Sequence, residues 1–235
     1  MTKEEILNKF EEVGSLSIKK VLVKHGAREP FYGVKVEELK KIQKKVKMDY
    51  KLSMELFDTG ISDAMYLAGL IADPKQMTKK DIQHWADKAY WYMITEYPVA
   101  WVAAESSYGM ELALEWIESD RENIACAGWA TLGDIASLKQ DKDLDIKLYA
   151  KLIERVGKEI HQAPNRVRYC MNTFIISAGA YITSLTDLAL KTGAKIGKVK
   201  VDMGDTACNV PMIPEYIKKI EARGSLGKKR QTVRC

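Results

Sequence analysis

An all-α solenoid, a superhelix of antiparallel helix pairs, is the fold class that this 235-residue sequence predicts. Three observations carry that prediction. Apolar residues recur at helical spacing along most of the chain, and alternating β-branched runs flanked by paired turn residues are missing. One layout of helix, short turn and helix returns at 50–73, 108–137 and 148–181. Superposing Ile124, Ala127 and Leu132 on Val167, Cys170 and Ile175 takes a shift of 43 residues, within the span of about 40–47 residues of HEAT and armadillo repeats.

Taken in order, residues 3–25 read as two short helices broken at Gly14-Ser15, and Arg28–Gly33 reads as a loop. The next helix carries Val36, Leu39, Ile42 and Val46 on one stripe and Lys40, Lys41, Lys44, Lys45 and Lys47 on the other face. Such a lysine face is either solvated surface or a phosphate contact. In the pair at 50–73, the turn holds Gly60, and Ser62 or Asp63 is suited to cap the second helix. Six aromatics then crowd the stretch from Trp85 to Trp101 (Trp85, Tyr90, Trp91, Tyr92, Tyr97, Trp101). It reads as a helix, a turn at Thr95–Pro98 and a second helix with Pro98 at its first position. This inserted pair explains why Ala68-Gly69 and Ala127-Gly128 align only at a shift of 59. Small residues on the second helices, such as Gly128, Gly133, Ala178 and Gly179, let neighbouring helices approach closely. Gly193–Asn209 reads as non-helical, a helix at 211–222 closes the solenoid, and 223–235 is a basic tail. The concave face of such a stack is the usual binding surface.

Composition narrows the partner. With 46% hydrophobic and 29% charged residues the chain reads as soluble, globular and cytoplasmic, and it has no run of 18 apolar residues. The net charge of +5 comes from the tail alone, where Arg223, Lys228, Lys229, Arg230 and Arg234 stand without an acid. A nucleic-acid footprint must therefore come from how charges are placed on a balanced body, with the tail adding to it. Four cysteines and three histidines lack ligand spacing, so the cysteines read as free thiols and no metal site is expected. Asp202 and Asp205 offer too few oxygens for a calcium loop, and the terminal Cys235 has no lipidation motif.

On a helix Tyr97, Trp101 and Glu105 share one face, and an aromatic beside a carboxylate can hold a cation. The opposing reading is that these rings are core. The run Tyr32-Gly33-Val34-x-Val36-x-Glu38-Leu39-Lys40 leading into a basic helix, followed by irregular HEAT-like pairs, resembles the DNA alkylation repair (AlkD-type) family over roughly 10–220. The resemblance implies DNA glycosylases that excise cationic N3- and N7-alkylated purines. They grip duplex DNA on the concave face without metal or organic cofactor. The implied site is two Trp flanking an Asp, with an Arg on a later helix. Trp101-x-x-x-Glu105-Ser106 falls where the Trp and carboxylate belong, with Glu for Asp. In an alternative register Tyr97 takes the Trp position and Trp101 that of the acid. The Arg is not matched, Arg121 being the nearest cation, and Phe174 is the nearest aromatic to the second Trp.

Excision builds positive charge on the sugar, which a carboxylate and aromatic faces stabilise. The longer Glu arm matters, because a misplacement of about 1 Å can cost about a hundredfold. Three functions stay open. In the first, a glycosylase uses Glu105 and Trp101, with Tyr97, Trp129 and Phe174 as walls. Arg121, Arg166 and Arg168 then serve as phosphate contacts, and the tail's Lys228, Lys229 and Arg230 add to them. The second is a non-catalytic, monomeric binder of damaged or branched double-stranded DNA, and the third a protein-binding scaffold.

Overall fold

The computed structural model describes residues 1–234, and no strand occurs among them; Cys235 lies outside the described residues. Helices α1 (Lys3–Val13) and α2 (Leu16–Lys24) part at Gly14-Ser15 as expected. They are followed by α3 (Val36–Val46), α4 (Tyr50–Phe57), α5 (Ser62–Ile71) and α6 (Lys79–Lys88). A short α7 (Tyr92–Ile94) runs through a π-helical turn (Thr95–Val99) into α8 (Ala100–Glu105). The remaining pairs are α9 (Gly109–Trp116) with α10 (Glu122–Leu138), α11 (Ile146–Glu159) with α12 (Asn165–Tyr181), and α13 (Thr186–Ile196) with α14 (Ile213–Ala222).

Two rows of helices result, and the apolar pattern decides which row each helix joins. The first helix of a pair is amphipathic: α11 buries Tyr149, Leu152, Ile153 and Val156, one stripe at helical spacing. The second helix is apolar nearly all round, as in α5, where every residue is buried. These second helices stack side by side, α5 on the π turn, α8 on α10, and α10 on α12. The last two are each 17 residues long and begin 43 residues apart.

Small residues set the spacing. A Cβ on Gly69 would lie 2.6 Å from Pro98, and one on Gly179 would lie 2.5 Å from the Ala189 methyl and 2.8 Å from Ile217. Gly179→Ala is therefore expected to cost about 1–3 kcal/mol through overpacking. A urea-unfolding midpoint equal to that of the wild type would show that α12 and α13 do not meet this closely.

Two local expectations are corrected. Thr95–Pro98 is not a turn; the helix continues through it with a widened π turn that contains Pro98. Proline has no N–H to donate and its ring clashes with the carbonyl four residues back, and a wider turn relieves both. Nor does Asp63 cap α5. Its buried carboxylate accepts the backbone N–H groups of Tyr32 (2.6 Å), Gly33 (3.3 Å) and Val34 (2.8 Å). Burial pushes this carboxyl up in pKa, and the three N–H bonds pull against it. Asp63 thereby fastens the Tyr32-Gly33-Val34 loop to the solenoid. Asp63→Ala orphans these donors and is expected to cost about 1–3 kcal/mol, read as a lowered thermal midpoint.

Candidate nucleic-acid groove

The last carbonyls of a helix have no partner inside it, and its C-terminal end favours positive charge. The tail meets both needs for the inner row. The Gly227 N–H donates to Ala180 O (2.8 Å) at the end of α12, and the Arg230 N–H donates to Ser137 O (2.8 Å) at the end of α10. Lys229 Nζ bonds Ala136 O (2.9 Å) and pairs with Asp141 (2.9 Å). Arg234 donates to Ala72 O (2.7 Å) and Leu70 O (3.3 Å) at the end of α5. The segment 227–234 thus crosses the inner helices from α12 back to α5, and Val233 is buried with the core of the first half.

Glu105, at the end of α8, is held by this same segment. Its Oε1 accepts the Thr232 hydroxyl (2.5 Å) and the Val233 N–H (3.1 Å), and its Oε2 pairs with Arg234 (2.9 Å). One turn earlier Trp101 is buried, with Tyr66 (5.4 Å) and Tyr97 (5.6 Å) standing edge-on to it. The shared face of Tyr97, Trp101 and Glu105 is therefore present, but the carboxylate faces the chain's own guanidinium.

A groove follows the tail. At one end an open hollow is lined by Lys44, Lys47 and Lys75 together with Glu105 and Arg234. At the other a hollow of about 730 Å³ is lined by Arg223, Lys228, Arg230, Tyr169 and Tyr181. Between them a cavity of about 250 Å³ lies between α8, α10 and α12, walled by Tyr97, Trp101, Trp129, Tyr169 and Phe174. Trp129 and Phe174 are buried with ring centroids 5.1 Å apart, and Tyr97 is the exposed ring of the set. Two of the expected lysines, Lys44 and Lys47, thus border the groove, and so do Lys228 and Arg230.

The three expected arginines are placed differently. Arg166 forms a bidentate pair with Glu96 (2.5 and 2.7 Å), its guanidinium lying between the Tyr92 ring (4.0 Å) and the Tyr169 ring (4.1 Å). Burial works against this cation, and the Glu96 carboxylate outweighs it and holds the pKa raised. Arg168 spends its donors on Ala163 O (2.8 Å) and Lys200 O (3.0 Å), anchoring the segment after α13. Arg121 pairs with Asp87 (2.5 Å) on α6. Each is satisfied by the protein, and the cations that line the groove include Lys44, Lys47, Lys75, Arg223, Lys228 and Arg230.

Two features escape a sequence reading. Cys126, Cys170 and Glu96 converge, their ligating atoms within 4.8 Å of one another. Glu96 is committed to Arg166, and burial pushes the Cys170 thiol well up. The second feature is Asp134 on α10, which lines both the middle cavity and the larger hollow. Its Oδ2 is buried with no hydrogen-bond partner among the described residues, as is the Nε1 of Trp129. Burial pushes the Asp134 carboxyl up to about 8, Arg230 opposing and Glu105 adding. A folded pKa above the unfolded one favours the protonated acid. Its stabilisation is thus full below the unfolded value near 3.8 and is lost as pH rises through about 8. Stability is expected to fall between these limits and level off above them, and Asp134→Asn is expected to flatten that slope in urea titrations at several pH values.

A HEAT-like solenoid with a basic, aromatic-walled groove along its inner helices is the class of protein that this fold and site define. Residues 6–200 match the family described as DNA alkylation repair enzyme, and the chain belongs to that family. It is 31% identical over 211 residues to an uncharacterized protein of Listeria monocytogenes. It is 30% identical over 210 residues to one of Listeria innocua; each match covers 87% of this chain and 90% of the relative. A solved structure, described as representing a new family of proteins related to the HEAT-like repeat DNA glycosylases with affinity for branched DNA structures, is 34% identical. That likeness covers 100% of both chains with a TM-score of 0.92.

Proposed function

We propose that this protein is a monomeric binder of branched or otherwise distorted double-stranded DNA, which it holds along the groove without excising bases. The observation that carries the reading is the engagement of Glu105 by Arg234, Thr232 and Val233. A carboxylate stabilises positive charge on a sugar only if it is aimed at that charge and not already neutralised. Here it faces a guanidinium, and the Trp101 ring beside it is buried between two tyrosines. Binding needs less than catalysis does. Lys44, Lys47 and Lys75 at one end and Arg223, Lys228 and Arg230 at the other supply phosphate contacts, which position DNA without reading its sequence. The relative of known structure, alike over its whole length, has affinity for branched DNA, which supports the same partner here.

Two measurements on one preparation test the proposal. The purified protein is expected to retard a four-way junction in a gel and to release no N7-methylguanine above background from methylated duplex. Release that is lost in Glu105→Gln would overturn the non-catalytic reading. Failure to retard any DNA would remove nucleic acid as the partner.

A further inference from the structure

The middle cavity holds more chemistry than phosphate binding needs. Phosphate calls for cations, yet Asp134 places a carboxyl in the cavity wall, within the field of Arg230 but not paired to it at 4 Å. Next to incoming phosphates such a group is a liability unless it faces a hydrogen-bond donor. The Asp134 Oδ2 has no such donor among the described residues, and Trp129, fully buried against Phe174, forms part of the cavity's apolar wall. Asp134 projects from α10, and Tyr97, Tyr169 and Phe174 line the same cavity. Its volume of about 250 Å³ falls below the roughly 300–1,000 Å³ of sites for drug-sized ligands, which suits one planar ring system.

From this arrangement we propose that the cavity between α8, α10 and α12 receives a single unpaired nucleobase from the DNA bound in the groove, with Asp134 contacting its polar edge. The inference rests on the DNA-binding reading and names what that site recognises. Tyr97, the exposed ring at the rim, stacks on the incoming base, as aromatic platforms do for single-stranded nucleic acid. Held protonated, the Asp134 carboxyl both donates and accepts, so it matches the adjacent donor and acceptor that every base carries on its pairing edge. In a fully paired duplex that edge is occupied, and at a branch or bulge it is free. The cavity thereby makes the protein prefer distorted DNA for a reason separate from shape and charge.

The test compares a three-way junction carrying one unpaired adenine at the branch with the same junction carrying an abasic residue there. Fluorescence anisotropy with the full chain is expected to show the adenine junction bound roughly tenfold tighter, the size of one stacked base. In Asp134→Leu this ratio is expected to fall towards one. A second readout with wild-type protein needs no variant: 2-aminopurine at the unpaired position is expected to change emission on binding. Equal wild-type affinity for the two junctions, or unchanged 2-aminopurine emission in the bound complex, would overturn the inference and leave DNA binding standing. Binding to neither junction would overturn both.

Discussion

Arg234→Ala is expected to destabilise the protein by about 3–5 kcal/mol. The Arg234 side chain is 9% exposed and its partner Glu105 is 19% exposed, so water screens the pair little. Burial pulls the guanidinium's pKa down, and the Glu105 carboxylate opposes this. The truncation removes the donors to Leu70 O and Ala72 O and leaves a carboxylate at the end of α8 with its countercharge gone. Replacing both partners by apolar residues, Glu105→Leu with Arg234→Met, is expected to recover much of the loss, because the cost is that of one orphaned charge. A urea-unfolding series over the two single variants and the double variant reads this directly. Equal midpoints in all four proteins would mean that the tail lies on the body without holding it.

Arg166→Met is expected to cost a similar amount, about 3–5 kcal/mol near neutral pH. Glu96 and Arg166 side chains are 8% and 18% exposed, and the guanidinium also stacks between Tyr92 and Tyr169. This pair ties the π turn before α8 to α12 across the middle of the solenoid. Burial already pushes the Glu96 carboxyl up, with Arg166 as its main counterweight. Without Arg166 the folded pKa rises further above the unfolded one, so the folded variant prefers neutral Glu96. Its stability is retained near the unfolded carboxylate pKa and is lost as pH rises through the folded value. The penalty is therefore expected to be larger at pH 8 than at pH 5. A penalty independent of pH would show that packing against the two tyrosines, and not the buried charge, is what Arg166 supplies.

The architecture was legible because it is periodic. The stripes of α3 and α11, the break at Gly14-Ser15 and the 43-residue return from α10 to α12 are local patterns. Physical chemistry reads these directly. The π turn was not legible, since Pro98 suits the first turn of a helix as well as a bulge within one. The site was legible only in part, because its state depends on residues far apart in the chain. Trp101 and Glu105 mark a carboxylate beside an aromatic, and nothing near them announces that Arg234, more than a hundred residues on, completes the pair. An unpaired run of cations likewise looks like a free tail, whereas Lys229 and Arg234 cap helix ends that sequence cannot bring together. Arg166 had the residue type of a phosphate contact, and Glu96 had already taken it. Asp134 stands within an apolar helix, where a lone acid has no periodic signature.

The central question for this protein is whether the groove takes distorted DNA. Its most direct test is competition between an unlabelled linear duplex and a labelled four-way junction of equal length and composition, over a range of salt concentrations. The junction is expected to be held at least about tenfold tighter, an increment of about 1.4 kcal/mol. Log affinity is expected to fall linearly with log salt as groove cations displace counterions. Equal affinity for the two DNAs, or an affinity that salt leaves unchanged, would contradict binding of distorted DNA in the groove.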